Sequence, residues 1–95
     1  MKSRNPHTRI YLLSGSRTPV GSFGRTLRNV PVDKLAGHVM VNAIRRAGVD
    51  ANSIDHVILG HGYQSSYTPN TGRFAWLRAG LPAGTPAMTV QRQCG

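Results

Sequence analysis

Cys94 is the residue in this sequence whose type and setting best suit covalent chemistry. It is the only cysteine among 95 residues, and it follows the apolar run Ala87-Met88-Thr89-Val90 through a polar segment, Gln91-Arg92-Gln93. Gly95 comes next and allows a sharp turn, with close approach of a carbonyl group to the main chain. A thiol placed where the backbone leaves a sheet is a candidate nucleophile. A helix beginning just after it would favour the thiolate through its N-terminal amides. A lone cysteine is equally at home as a small buried hydrophobe. The residues alone leave both readings standing.

A cysteine nucleophile needs a base nearby, and the sequence holds four histidines: His7, His38, His56 and His61. His7 belongs to a polar end, His38 to the polar side of a helix, and His56 opens a strand. His61 follows a strand on the same edge as Cys94 and is the geometric candidate, although a polar residue ending a strand explains it as well. Gly60-His61-Gly62 has the beginning of a dinucleotide fingerprint but lacks its third glycine and the helix that must follow. With Asp33, Asp50 and Asp55 as the only acids, a paired-carboxylate mechanism has no support. No cysteine spacing suits zinc, and one cysteine cannot build a disulfide framework.

These residues need a scaffold, and composition describes one. The chain is 39% hydrophobic and 16% charged, which is globular, and it has no run long enough to span a membrane. Ile10 to Leu13 is too short for a signal h-region, so a cytoplasmic setting is expected. The net charge of +9 admits a polyanion-binding surface. Its basic residues, however, are scattered from Lys2 to Arg92 with only Arg45-Arg46 adjacent, which favours balancing acids elsewhere over a small nucleic-acid-binding module.

Residues 1–8 read as a loose N-terminal extension and residues 9–95 as the first part of an incomplete domain. Arg9-Ile10-Tyr11-Leu12-Leu13 reads as a strand buried on both faces. Ser14 to Pro31, with its glycines and prolines, reads as a long loop. Asp33 to Ala47 has helical periodicity: Leu35, Ala36, Val39, Met40, Ala43, Ile44 and Ala47 share one side. Asp33 and the Arg45-Arg46 pair suit the helix dipole, and Gly48 is the stop. Val41 breaks the pattern on the polar side, so that face is expected to touch something not contained in this chain.

His56 to Gly60 reads as the second strand. Asn70 caps a second helix, Thr71 to Ala79, anchored by Phe74 and Leu77 and stopped by Gly80. Ala87 to Val90 is the third strand. Strand, helix, strand, helix, strand with no hairpin signal predicts an α/β layered domain with a mostly parallel sheet. Ligands then sit beyond the carboxyl ends of the strands, where Cys94 lies.

In that order and spacing the residues resemble the thiolases, a family of acyl-CoA C-acyltransferases. The resemblance runs from about Ile10 to the end of the sequence. It is carried by Arg17-Thr18-Pro19-Val20-Gly21 with Phe23-Gly24, then Ala47-Gly48-Val49, then Asp55-His56-Val57-Ile58-Leu59-Gly60 with Gln64. Arg73, Ala79-Gly80-Leu81-Pro82, Pro86, Thr89-Val90 and Cys94-Gly95 complete it.

The resemblance implies a partial thiolase-like fold that ends just past the nucleophile turn, and it implies that Cys94 takes an acyl group from an acyl-CoA as a thioester. A carbanion from acetyl-CoA then attacks that thioester, or free CoA cleaves a 3-oxoacyl-CoA in reverse. Such chemistry belongs to fatty-acid metabolism. The Cys94 N–H would face the thioester oxygen in an oxyanion hole. Coenzyme A thioesters would be substrates, with no separate cofactor and no metal, and the full-length enzyme would be a dimer or tetramer.

The family's base histidine and second acid/base cysteine come later in its sequences than Gly95, so the piece alone is expected to be inactive. His61-Gly62-Tyr63 stands where many members carry asparagine and small apolar residues, which argues against a catalytic His61. Arg25 replaces a frequent glycine, and Gln91-Arg92-Gln93 is a variant approach to the cysteine. A non-catalytic, thiolase-like lipid carrier shares the resemblance and stays open.

Overall fold

The computed structural model describes residues 7–95, so most of the expected extension at 1–8 lies outside the described residues. The order of elements is α1 (Val32–Ala47), a 3-10 turn (Ala51–Ser53), β1 (Val57–Gly60), α2 (Thr71–Arg78) and β2 (Ala87–Val90). β1 and β2 pair in parallel, with Val57 opposite Ala87 and Gly60 opposite Val90. α2 is the crossover that a parallel pair requires. The α/β class and both helices follow the sequence.

Local chemistry sets the ends. Gly48 closes α1 at φ 68°, and its N–H reaches the carbonyls of Ile44 and Arg45. That left-handed position is open to glycine at no steric cost. At the 3-10 turn, Asp50 accepts hydrogen bonds from the Asn52 backbone and side-chain amides. The backbone bond first, then the side-chain bond, hold its carboxyl below the ordinary value.

One predicted element does not form. Arg9 to Leu13 has no regular structure, and Leu12 is 99% exposed. A strand exists only when its backbone groups find an edge. The chain leaving this segment is instead tied to the last turns of α1, where Ser14 Oγ donates to Ala43 O at 2.6 Å and Arg46 donates to Gly15 O at 3.0 Å. Without a strand at Arg9 to Leu13, the apolar side of α1 (Leu35, Val39, Met40) and the residues Val57 to Leu59 line an open groove of about 440 Å³. The two remaining strands are correspondingly one-sided: Val57 is buried while its neighbour Ile58 and the facing Met88 are exposed.

The core gathers around α2. Its buried residues are Thr71, Gly72, Ala75 and Trp76, whereas Phe74 and Leu77, the expected apolar anchors, remain about two-fifths exposed. Close approach explains the exchange. A Cβ on Gly37 of α1 would lie 3.1 Å from the Ala75 carbonyl, so the two helices meet almost backbone to backbone. Only small residues fit that contact, and it turns Phe74 outward against Tyr67 at 6.2 Å. Trp76 fills the centre and donates its indole N–H to Pro82 O at 2.6 Å.

Asp33 does more than complement the α1 dipole. It is 1% exposed and paired with Arg78 of α2 at 2.7 Å, linking the two helices across the sequence. Its Oδ1 has no partner among the described residues. Replacing Arg78 by Met should strand this carboxylate and cost about 1–3 kcal/mol, read from the urea midpoint. An unchanged midpoint would show that the pair is not holding the helices together. The isolated chain, with Ile10 to Leu13 exposed and the short strands bounded by free edges, should self-associate. Sedimentation velocity should show species larger than monomer, and a monodisperse folded monomer would refute this.

Candidate active site

The carboxyl end of the two-stranded sheet is built by two loops and one helix start. β2 ends at Val90, whose carbonyl accepts from His61 N at 2.9 Å, so the ladder runs one residue past β1. The chain then turns through Gln91-Arg92-Gln93 to Cys94, which is a free, exposed thiol. Gln93 Nε2 donates to Gly62 O at 2.7 Å, and the Arg92 guanidinium donates to Gly95 O at 2.6 Å. The Cys94 N–H makes no backbone–backbone hydrogen bond among the described residues. The turn is thus tied on both sides of the cysteine while its thiol and amide remain available.

Behind the turn stands the first turn of α2. Asn70 caps it, as the sequence predicts, with Oδ1 accepting from Arg73 N at 3.1 Å. The cap also reaches the sheet: Thr89 Oγ1 donates to Asn70 Oδ1 at 2.8 Å, and Asn70 Nδ2 donates to Ala87 O at 3.2 Å. Thr89 Oγ1 in turn accepts from Gly72 N at 2.8 Å, satisfying a helix N–H that has no partner within the helix. A Cβ on Gly72 would sit 3.1 Å from the Met88 carbonyl and from Leu59 Cβ, so glycine permits this seat.

The thiolase N-terminal domain model matches residues 10–95. The chain belongs to the thiolase family. It is 39% identical over 88 residues to an acetyl-CoA acetyltransferase of Cupriavidus necator, covering 93% of this chain and 22% of that protein. A Syntrophomonas wolfei acetyl-CoA acetyltransferase is 41% identical over 86 residues, covering 90% of this chain and 22% of that one. The crystal structure of the Bacillus anthracis acetyl-CoA acetyltransferase superposes with a TM-score of 0.83 at 43% identity, over 86% of this chain and 21% of the other. This chain therefore spans about a fifth of the length of such relatives.

Within this thiolase domain, the residues that carried the resemblance have distinct tasks. Arg73 donates to the carbonyls of Thr85 and Ala83 and clamps the segment leading into β2. Gln64 Nε2 closes its own loop onto Pro69 O. His61 lies at the Cys94 end of the sheet, but its ring bonds to Thr71 and not to Cys94. His38 pairs with Asn42 along α1, and His56 is exposed at the start of β1. No group of three His, Cys, Asp or Glu residues is close enough to hold a metal ion among the described residues.

Sequence reasoning gave Thr89 no bonding role and missed the Gln93–Gly62 link. A hydroxyl inside a four-residue apolar strand was the available signal for Thr89, since a polar group there requires a partner. Asn70→Ala removes both the cap and the Thr89 acceptor, so it should destabilise the domain by about 1–2 kcal/mol. Thr89→Val, which keeps the shape, should cost about 1–3 kcal/mol by leaving Gly72 N unpaired. If chemical denaturation shows neither loss, the junction of α2 with β2 is not what holds this end of the sheet.

Proposed function

We propose that Cys94 is the acyl-accepting nucleophile of an acyltransferase acting on coenzyme A thioesters. The observation that carries this reading is the exposed thiol at the carboxyl end of β2, tied into a turn by Gln93 and Gly95 in a chain of the thiolase family. The names of its relatives, acetyl-CoA acetyltransferases, supply the substrate class.

In the first half-reaction the Cys94 thiolate attacks the acyl carbonyl, and the CoA thiolate departs and takes up a proton. Sulfur suits both halves, since the thiolate is strongly nucleophilic and the resulting thioester stays reactive. The Cys94 N–H, placed beside the sulfur, serves as one donor to the oxyanion that forms on the acyl carbon. In the second half-reaction a carbanion derived from acetyl-CoA attacks the acyl-cysteine and expels the Cys94 thiolate, forming the carbon–carbon bond. Thiolysis of a 3-oxoacyl-CoA is the reverse.

The substrate thioester carries its own activation, so this reading needs no separate cofactor. The base for the second half-reaction is not assigned to any histidine of this chain. A homo-oligomeric enzyme in the cytoplasm fits the reading. No helix among the described residues is long and apolar enough to cross a membrane.

Intact-mass and peptide analysis after mixing the full-length protein with acetyl-CoA tests the proposal. One acetyl group should appear on the Cys94 peptide and be released by hydroxylamine. Cys94→Ser should abolish the adduct and lower turnover by at least about a thousandfold. Acetylation elsewhere, or full turnover by the serine variant, would overturn it. The isolated 95-residue chain should not cleave acetoacetyl-CoA at all; measurable cleavage would show that Cys94 needs no base from outside this chain.

A further inference from the structure

His61 is the polar residue of this end of the sheet that the proposed chemistry does not use. Its ring is half-buried, with Nδ1 at 3.2 Å from Thr71 Oγ1. Thr71 is fully buried and stands at the first position of α2. Its hydroxyl has a single proton, and it lies 2.8 Å from the Thr68 carbonyl, which can only accept. That proton is therefore committed to Thr68 O. The other contact of Thr71 Oγ1, to the buried Thr68 Oγ1 at 3.1 Å, must then be one it accepts. One lone pair remains for the imidazole. An unprotonated Nδ1 would set two lone pairs against each other in a part-buried site, so Nδ1 carries the proton whether the ring is neutral or charged.

The backbone of the same residue is equally engaged. His61 N donates to Val90 O at 2.9 Å, and the next residue, Gly62, accepts the Gln93 side chain at 2.7 Å. A Cβ built on Gly62 would lie 3.6 Å from Gln93 Cγ, so the Gln93 side chain runs alongside this turn. The route from the buried Thr71 hydroxyl to the exposed thiol therefore runs through the His61 ring, the His61-Gly62 backbone and Gln93.

We propose that His61 is a positioning residue for Cys94: locked as the Nδ1–H tautomer by Thr71, it fixes the His61-Gly62 turn that holds Gln93 and the cysteine beside it. This rests on Cys94 being the nucleophile only for its catalytic consequence. The structural lock stands independently of it. Asparagine can reproduce the role, because its Nδ2–H places a donor near the position of Nδ1. Alanine cannot.

The test uses the full-length protein labelled with ¹⁵N-histidine and ¹⁵N-cysteine, with the His61 signals identified by their loss in His61→Asn. At about pH 9, where an ordinary imidazole is neutral, His61 should show a protonated Nδ1 and a bare Nε2. Thr71→Val should abolish that preference. In wild-type protein and in His61→Asn, the Cys94 amide should be as rigid as the strands by ¹⁵N relaxation, and in His61→Ala it should become mobile.

The rate of Cys94 acetylation should fall about tenfold in His61→Ala, since small misplacements of a reacting group cost that much or more. It should stay within about twofold of wild type in His61→Asn. An Nε2–H tautomer, or equal behaviour of the alanine and asparagine variants in the relaxation measurement, would overturn the proposal. Absence of acetylation in every protein, wild type included, would instead remove the nucleophile assignment and leave the lock to be judged by the two spectroscopic readouts.

Discussion

The carboxyl end of this sheet depends on the hydroxyl of Thr89. It donates to Asn70 Oδ1 and accepts from Gly72 N, so one oxygen joins the last strand to the cap and the first turn of α2. A parallel pair gains no support from a tight hairpin, and its connection must be held down by contacts of this kind. The junction also orients the chain on either side of it. Upstream it fixes the start of α2, where Thr71 meets His61. Downstream it fixes the strand from which the Cys94 turn departs.

The helix layer obeys a constraint of distance. Gly37 lets α1 approach the α2 backbone, and Gly72 lets α2 approach the strands, each at a separation that a larger side chain would prevent. Close approach reverses the usual relation between size and burial: Ala75 is fully buried, while Phe74 and Leu77 beside it are not. It also leaves the Asp33–Arg78 pair where the helices converge, with the carboxylate buried and the guanidinium half in solvent. Such a pair gains less from Coulomb attraction than from the cost of leaving the carboxylate unpartnered.

Much of this was legible in the sequence, for reasons that individual residues make plain. The periodicity from Leu35 to Ala47, the glycine at 48 and the asparagine at 70 each express a local rule, and α1 and α2 begin and end within a residue or so of where those rules put them. The class of the domain and the place of Cys94 at a strand end followed from element order. Arg9 to Leu13 shows where local reasoning stops. Its apolar run is a statement about affinity for a sheet, and a strand also needs an edge that the chain can reach, which depends on contacts such as Ser14 with Ala43. The identity of the α2 anchors failed for a related reason. Periodicity gives the face of a helix, but only the neighbouring backbone decides whether that face has room for phenylalanine or for alanine. The Gln93–Gly62 and Thr71–His61 bonds join residues far apart in the chain, and no spacing rule encodes them.

On the reading proposed above, Cys94 is an acyl-accepting thiol that must admit its substrate, so it cannot be fixed in the way Trp76 is, by filling a cavity. Cys94 is exposed, and so are its neighbours Arg92 and Gln93. Order at such a place must be transmitted from buried groups along bonds that are directional. In the proposed lock the buried threonines 68 and 71 supply it, because their hydroxyls have no alternative partners in water to exchange with. The path outward runs from the buried Thr71 through the part-buried His61 and Gly62 to the exposed Gln93. On the same proposed reading, the arrangement separates two requirements that conflict in a single residue, access for a bulky thioester and a fixed direction of attack. It assigns the first to the turn and the second to the first turn of α2.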